Sequence, residues 1–212
     1  MATGVPASGT LRRLLAAYGP LVVAGVAFAG AALAVGLAVY GDPALARRWL
    51  GTYGYLALFA LFVLEGAMLL YFAPSESLVP LGIALLAHSV AGYAAVVLTA
   101  VVGATLGQYA LFLLARRGGR EYLLAQPWFR VSEASLERFD RWFDRWGRAV
   151  VPLSNALLLT RGMLTVPAGL ADMRDWEFLA LSALGSLAFE TWLALAWLYA
   201  VEHVPFVQQL PL

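Results

Sequence analysis

Long apolar stretches alternate with short polar links along this chain, and two of the stretches are interrupted. Uninterrupted runs cover residues 20–40, 92–115 and 176–201. Each run has the roughly 20 residues that a membrane-spanning helix needs, so we predict three spanning helices. The interrupted stretches cover about 55–87 and 149–171, and both contain prolines in mid-run. Because proline removes a backbone donor and clashes with the preceding turn, we expect no continuous helix through either one.

Both interrupted stretches also carry charges that hydrocarbon normally excludes. The first holds Glu65 and then Glu76 between Pro74 and Pro80, and the second holds Arg161. Each such charge costs roughly 2.5–3.5 kcal/mol on insertion scales unless it finds a partner or a watery cavity. Irregular backbone at membrane depth likewise requires shielding by protein or a cavity. We therefore predict two re-entrant helical hairpins, and a pair of broken segments points to a binding site.

A third pattern predicts an amphipathic helix at about 132–147. Its apolar and charged residues each recur at helical spacing, on opposite faces. The apolar set is Leu136, Phe139, Trp142, Phe143 and Trp146, and the charged set is Glu137, Asp140, Arg141, Asp144 and Arg145. Two interpretations stay open: the aromatic face lies at the level of the lipid headgroups, or the helix packs on the surface of the domain.

We predict one membrane domain at 20–203, preceded by a polar tail at 1–19 and followed by a short tail at 204–212. The first apolar run exceeds the core of a cleavable signal, so we expect a retained helix. If both hairpins return to the side that they enter from, nearly all arginines share one face, with only Arg47 and Arg48 opposite. The positive-inside rule then places the N-terminus in the cytoplasm.

Composition strengthens the membrane interpretation. Of the 212 residues, 62% are hydrophobic and only 13% are charged, which is far from the balance of a soluble domain. Cysteine is absent, so disulfides and thiolate ligands are excluded, and a net charge of +1 does not indicate a nucleic-acid partner. Two distant histidines do not suggest a metal or haem site. No serine, base and acid form a recognisable catalytic set, so we expect neither an enzyme nor a cofactor.

Three ordered signatures stand out along the chain. The first is an acid in an apolar run and then a proline-x-acid turn, here 64–66 and 74–76. The second is a pair of glycines before a tyrosine and an arginine-glycine cluster, here 103–109 and 116–120. The third is Arg161, Pro167-Ala168-Gly169 and Met173, followed by Gly185 and then Phe189 or Trp192. With these signatures the chain resembles the DedA family of membrane proteins, whose domain is also described as SNARE-associated or VTT.

The resemblance implies two hairpins that enter from opposite sides, as in an inverted repeat, and meet at the midplane. It also implies lipid handling, because bacterial members are similar to polyprenyl-phosphate carriers and eukaryotic relatives scramble phospholipids. Some members look proton-coupled. The expected location is a prokaryotic plasma membrane. The chain departs from the family pattern at four positions: Asn155 replaces a second arginine, Leu158 replaces a proline, Gln108 replaces an acid, and Glu190 replaces a neutral polar residue.

Two sets of residues are therefore candidates for function. For substrate binding we expect Arg161, whose guanidinium can hold two phosphate oxygens at once, together with Asn155, Pro167 and Gly169. For proton coupling we expect carboxylates whose charged form is disfavoured by burial. These are Glu65, Glu76 and Glu190. The competing interpretation is structural, with Glu65 or Glu76 pairing with Arg161 only to hold the hairpins together.

These observations favour a transporter that moves a phosphate-bearing lipid, either a polyprenyl phosphate or a phospholipid, with or without protons. One alternative is a proton-coupled antiporter of small cations or drug-like solutes, using the same carboxylates. Another is a membrane-organising scaffold that transports nothing. The expected partner is a membrane lipid, and the oligomeric state stays open.

Overall fold

The computed structural model describes residues 43–69, 75–125, 132–158, 160–171 and 173–204. The predicted first helix, the N-terminal tail, Pro74 and all but the first residue of the C-terminal tail lie outside these residues. Within the described part, every regular element is helical. The all-α prediction is thereby confirmed for this part of the chain.

Seven α-helices and two short 3-10 turns make up the described residues. The helices are α1 (Pro43–Gly66), α2 (Leu78–Leu86), α3 (Val90–Leu124), α4 (Glu133–Trp146), α5 (Val150–Asn155), α6 (Thr165–Leu170) and α7 (Asp175–His203), with 3-10 turns at Ser75–Ser77 and Gly147–Ala149. Among them, α3 with 35 residues and α7 with 29 are long and apolar enough to cross a membrane.

The long helices α3 and α7 form an antiparallel pair. Near one end, Arg116 on α3 forms an ion pair with Asp175 at the start of α7. One turn further in, the rings of Phe112 and Phe178 stack with centroids 4.4 Å apart. We call this end of the pair the arginine end, because Arg117 also lies there.

Two helices begin or end beyond their predicted limits. Residues 43–48, predicted as a polar link, form the start of α1. The physical reason is that Pro43 suits the first helical position, and alanine, leucine and arginine after it are good helix formers. Helix α3 continues past the predicted end at Ala115 to Leu124, with a break at Gly119, whose φ of 73° is left-handed.

The pair α1 and α2 lies beside the first half of α3. Helix α1 runs parallel to α3, because contacts between the two helices advance in the same direction along both. A Cβ atom on Gly103 would lie 2.9 Å from the Phe59 carbonyl oxygen, and a Cβ atom on Gly107 would overlap the Val63 carbonyl oxygen. Helix α2 returns in the opposite direction, so that Ala87 packs against Gly92 near the start of α3. The tip of this pair therefore lies beside the middle of α3.

The pair α5 and α6 approaches the same place from the arginine end. Helix α5 packs along α7, where a Cβ atom on Gly185 would lie 2.7 Å from the Asn155 Cβ. Helix α6 runs back toward the arginine end, where a Cβ atom on Gly169 would lie 2.6 Å from the Phe112 carbonyl oxygen. Two helix pairs thus meet from opposite ends of α3, while their re-entry into a bilayer stays a prediction.

Helix α4 lies on the outside of this assembly. The Ser132 side chain caps its N-terminus by accepting the Ser135 N–H. It buries Leu136 and Phe139 against the domain but leaves 39% of Trp142 and 62% of Trp146 exposed. The helix therefore packs on the domain through one part of its apolar face and presents its tryptophans outward, while a position of those tryptophans at the lipid headgroups stays a prediction.

Candidate functional site

A cluster of three buried charges lies where the two helix pairs meet. The Nε of Arg161 donates to Oε1 of Glu65 at 2.9 Å, and its Nη2 donates to Oε2 of the same carboxylate at 3.4 Å. The same Nη2 also forms an ion pair with Oε1 of Glu190. Side-chain exposures are 6% for Arg161, 10% for Glu65 and 1% for Glu190, so water is nearly excluded.

Three separate elements supply the members of this ion cluster. Glu65 lies in the last turn of α1, Arg161 in the turn between α5 and α6, and Glu190 in the middle of α7. The guanidinium also lies over the ring of Phe189, with 4.4 Å from its carbon to the ring centroid. Hydrogen bonds and this cation–π contact therefore fix the guanidinium between the helix pairs.

The ion cluster is incomplete in charge and in hydrogen bonds. Two carboxylates face one guanidinium, which leaves one excess negative charge if all three groups are ionised. Among the residues that the structure describes, two of its buried atoms have no hydrogen-bond partner, namely Nη1 of Arg161 and Oε2 of Glu190. Buried polar groups are normally satisfied, so each exception indicates strain, an unseen water or a functional role.

A neutral hydrogen-bond network lies beside the ion cluster. Nδ2 of Asn155 donates to Oε1 of Gln108 at 2.8 Å and to Oγ of Ser182 at 3.2 Å. Its Oδ1 accepts the backbone N–H of Gly162 at 3.0 Å and Nε2 of Gln108 at 3.4 Å. Because Gly162 directly follows Arg161, this amide network ties the turn that carries the guanidinium to both α3 and α7.

Further polar residues on α3 and α7 extend toward the ion cluster. Ser182, Ser186 and Glu190 are spaced four apart and therefore share one face of α7. Ser186 and Thr105, which lies one turn before Gln108 on α3, both have buried hydroxyls without a hydrogen-bond partner. The sequence analysis did not predict Thr105, Ser182 or Ser186 as site residues. The four-residue spacing of Ser182, Ser186 and Glu190 in an apolar helix could have indicated a shared polar face.

The structure brings together three of the residues predicted for function. Glu65, Arg161 and Glu190 are in direct contact, and Asn155 reaches the cluster through Gly162. Glu76 lies in the 3-10 turn at the tip of the first pair, half-buried, and forms no ion pair with any described residue. Of the two acids considered as partners of Arg161, Glu65 is the one that contacts it.

Pro167 and Gly169 lie away from the ion cluster, toward the arginine end. Gly169 allows α6 to pack closely on α3, and Pro167 is buried at the edge of a separate cavity. That cavity measures about 340 Å³, and its lining includes the ion pair of Arg120 with Asp140. Gly169 thus lies at a helix contact and Pro167 at the second cavity. Their part in substrate binding stays a prediction.

Metal ligands do not cluster in the part of the chain that the structure describes. Within those residues no three histidine or acidic side chains lie close enough together to hold an ion. His88 is exposed just before α3, and His203 is exposed at the end of α7. The ion cluster itself contains one basic and two acidic groups.

Comparison with known families gives a match over most of this architecture. Residues 73–201 match the VTT domain, a span that includes α2 to α6, all but the last two residues of α7, and both Arg161 and Glu190 of the ion cluster. The chain belongs to the VTT-domain family, also called DedA. This confirms the resemblance drawn from the three signatures, and with the two long apolar helices it identifies a membrane protein.

Several bacterial relatives of this VTT-domain protein are known by name. Undecaprenyl phosphate transporter A of Bacillus subtilis is 24% identical over 137 residues, covering 64% of this chain and 66% of the relative. The uncharacterized membrane protein YkoX of the same bacterium is 27% identical over 135 residues, covering 63% and 60%. An alkaline phosphatase-like protein of Lactococcus lactis is 28% identical over 121 residues, covering 54% and 56%.

These matches span less than two thirds of the length of each of the three relatives. No solved structure matches the chain. The comparisons therefore establish family, and the geometry of the ion cluster carries the functional proposal.

Proposed function

We propose that this protein is a bacterial membrane transporter that carries the phosphate headgroup of a lipid, such as a polyprenyl phosphate, past the ion cluster while the chain stays in the bilayer. One observation carries the proposal: a buried guanidinium, held between hairpin-like helix pairs from opposite ends, keeps Nη1 without a partner. The name of the Bacillus subtilis relative, an undecaprenyl phosphate transporter, supports this substrate class.

Arg161 is the proposed ligand of the phosphate. A guanidinium presents donors in a planar fork, and here Nε and Nη2 bind carboxylates while Nη1 does not. A phosphate that contacts Nη1 would compete with Glu65 and Glu190 for the rest of the fork. Binding therefore requires that at least one carboxylate give up its contact.

Protonation of a carboxylate provides a way to release that contact. Glu190 is a candidate for taking up the proton, because its side chain is buried and its Oε2 has no hydrogen-bond donor among the described residues. When either acid takes up a proton, its attraction for Arg161 weakens, and the excess negative charge that would repel a phosphate disappears. Proton uptake and phosphate binding would then favour each other, which is the coupling expected of a proton-driven carrier.

The remaining candidates have supporting parts in the proposal. Asn155 positions Arg161 by holding the Gly162 N–H, rather than by contacting the headgroup itself. Glu76, at the tip of the first pair, is a candidate for passing protons to the ion cluster. Pro167 and Gly169 set the return path of α6 against α3. We also propose that the arginine end faces the cytoplasm, as the positive-inside rule predicts.

The test is transport by purified protein in vesicles with a neutralised cluster. The variant Glu65→Gln/Arg161→Met/Glu190→Gln removes all three charges together, so it leaves no unpaired buried charge and is expected to fold. We expect wild type to move fluorescent polyprenyl phosphate across the bilayer and this triple variant to lose that activity at unchanged helicity and with a melting temperature close to that of wild type.

Asp140→Asn is the matched control, since it changes a carboxylate outside the ion cluster. It should transport at nearly the wild-type rate. If the triple variant transports as well as wild type, the carrier proposal is wrong. A wild type that moves no lipid, with a triple variant that rescues every cellular phenotype, would instead support the scaffold.

The net charge of the ion cluster supports one alternative, a proton-coupled antiporter of small cations. One excess negative charge in a buried site attracts a cation more readily than a phosphate. Its test is proton release from the same vesicles on addition of ethidium or tetraphenylphosphonium. Cation-driven proton release without lipid movement would favour the antiporter over the lipid carrier.

A further inference from the structure

An apolar groove lies between the end of α4 and helix α5, separate from the ion cluster. Its volume is about 240 Å³, and its walls are mostly apolar. The lining residues are Trp142, Trp146, Val150, Leu153, Ser154, Leu157 and Thr160. Trp146, Leu153 and Leu157 are each more than half exposed, so the groove opens outward from the domain.

The groove runs from the level of α4 toward the meeting point of the helix pairs. Trp142 and Trp146 lie at its outer end, and Thr160, which directly precedes Arg161, lies at its inner end. Tryptophan prefers the membrane interface, with its ring between chains and headgroups. The groove therefore has the direction of a lipid chain that descends from the interface into the bilayer.

Charges on α4 are divided between the two flanks of its buried face. At about 100° per residue, Arg138 and Arg145 lie one turn before and one turn after Trp142, on the flank beside the groove. Asp140 and Asp144 lie on the other flank, where both line the 340 Å³ cavity with Arg120. The groove thus borders the basic flank of the helix and not the acidic one.

The arginines beside the groove are available for a ligand. Arg138 and Arg145 are exposed, as is Arg141, which points away from the domain. Among the described residues none of the three takes part in an ion pair, whereas Arg120 and Arg148 on neighbouring segments do. The Arg145 guanidinium lies 5.9 Å from the Trp146 ring centroid, which holds it near the outer end of the groove.

We propose that this groove is a binding site for an anionic phospholipid of the bilayer, with one chain along Trp146, Leu153 and Leu157 and its phosphate on Arg138 and Arg145. The volume suits a chain segment, since pockets that enclose whole small molecules measure roughly 300–1,000 Å³. Two arginines without acidic partners select a negative headgroup over a zwitterionic one. This site is independent of the proposed transport function.

The test uses the full chain in phosphatidylcholine vesicles, titrated with phosphatidylglycerol that carries brominated chains. Bromine quenches nearby tryptophan, and subtracting the quenching of Trp142→Phe/Trp146→Phe isolates the signal of the groove. We expect wild type to prefer brominated phosphatidylglycerol to brominated phosphatidylcholine. Each arginine near an anionic surface contributes about fivefold, so Arg138→Gln/Arg145→Gln should reduce that preference about 25-fold.

Three further variants separate charge, groove and background. Arg138→Lys/Arg145→Lys keeps the charge and should keep most of the preference. Leu157→Gln, which places a polar group in the groove, should weaken quenching by both lipids. Arg117→Gln, an exposed arginine on α3, should change neither. The site is disproved if wild type shows no preference, if Arg138→Gln/Arg145→Gln retains it in full, or if Arg117→Gln lowers it equally.

Discussion

The ion cluster and the amide network are neighbours in the same buried layer, yet they differ in how completely they are satisfied. In the amide network, Asn155 uses both its oxygen and its nitrogen in two hydrogen bonds each. In the ion cluster, Arg161 and Glu190 each retain a buried atom without a partner, and the charges do not balance. The complete network can hold the turn in place, while the incomplete cluster is the one suited to exchange partners.

This difference has a physical basis in what each group costs when buried. A buried amide is neutral, so full hydrogen bonding nearly offsets its desolvation. A buried charge costs several kcal/mol even when paired, and breaking the pair costs more. In an otherwise well-packed protein, sites whose buried polar atoms lack hydrogen-bond partners are commonly functional. The contrast supports the proposal that Asn155 positions the turn and that Arg161 exchanges ligands.

Removal of Arg161 alone should have the largest effect. Arg161→Met leaves Glu65 and Glu190 as two buried carboxylates without a counter-charge, which should lower the free energy of unfolding by about 3–5 kcal/mol. Thermal unfolding in detergent measures this loss. The triple variant Glu65→Gln/Arg161→Met/Glu190→Gln should recover most of it, since no charge then remains. Equal melting temperatures for Arg161→Met and wild type would contradict a charged cluster.

Removal of the Asn155 amide should have the second largest effect. Asn155→Ala leaves Gln108, Ser182 and the Gly162 N–H without their shared partner, at a cost of about 2 kcal/mol in unfolding free energy. Transport should fall as well, because the turn carrying Arg161 loses its support. Ser154→Ala is the matched control, since that buried hydroxyl donates only to the Val151 carbonyl of its own helix. If Ser154→Ala lost as much stability and transport as Asn155→Ala, the positioning role proposed for Asn155 would be contradicted.

The two regions also differ in how far the sequence could predict them. Glu65, Arg161 and Glu190 stand out because charges are rare in apolar runs, and pairing is the expected solution. The contact between Glu65 and Arg161 needed only the prediction that the two broken segments meet. Glu190 was predicted to take part in proton coupling and not to pair with Arg161. Spacing along α7 does not reveal which neighbouring side chain faces Glu190.

The amide network could not be predicted in the same way. Serine, asparagine and glutamine are inexpensive enough in helices that their presence signals little, and their side-chain partners lie 27 to 74 residues away along the chain. The prediction of where α1 begins was wrong for a local reason. Arg47 and Arg48 suggested a polar link, although the helix propensity of that segment is high. Exact contacts between distant elements depend on packing, which hydrophobic periodicity does not encode.

Close contact between α1 and α3 connects the two regions and gives the third prediction. A Cβ atom on Gly107 would overlap the Val63 carbonyl, and Gly107 precedes Gln108 while Val63 lies half a turn before Glu65. Gly107→Ala should therefore push the helices apart and lower the unfolding free energy by about 1–3 kcal/mol. Thermal unfolding and transport should decline together. Gly51→Ala, where a Cβ atom meets nothing within 4 Å, should instead be neutral or stabilise by up to about 1 kcal/mol.

The smallest effect is expected for an ion pair outside the buried layer. Arg120 and Asp140, which join α3 to α4, are 31% and 36% exposed, so water already solvates both charges. Asp140→Asn should lower the unfolding free energy by roughly 0.2–1 kcal/mol. Because salt screens exposed charges, the difference from wild type should vanish in 1 M sodium chloride, where the Debye length is about 3 Å. The loss caused by Arg161→Met should persist in the same salt, since the ion cluster excludes water. A loss from Asp140→Asn that equals that of Arg161→Met, or resists salt, would show that burial does not separate the two kinds of charge.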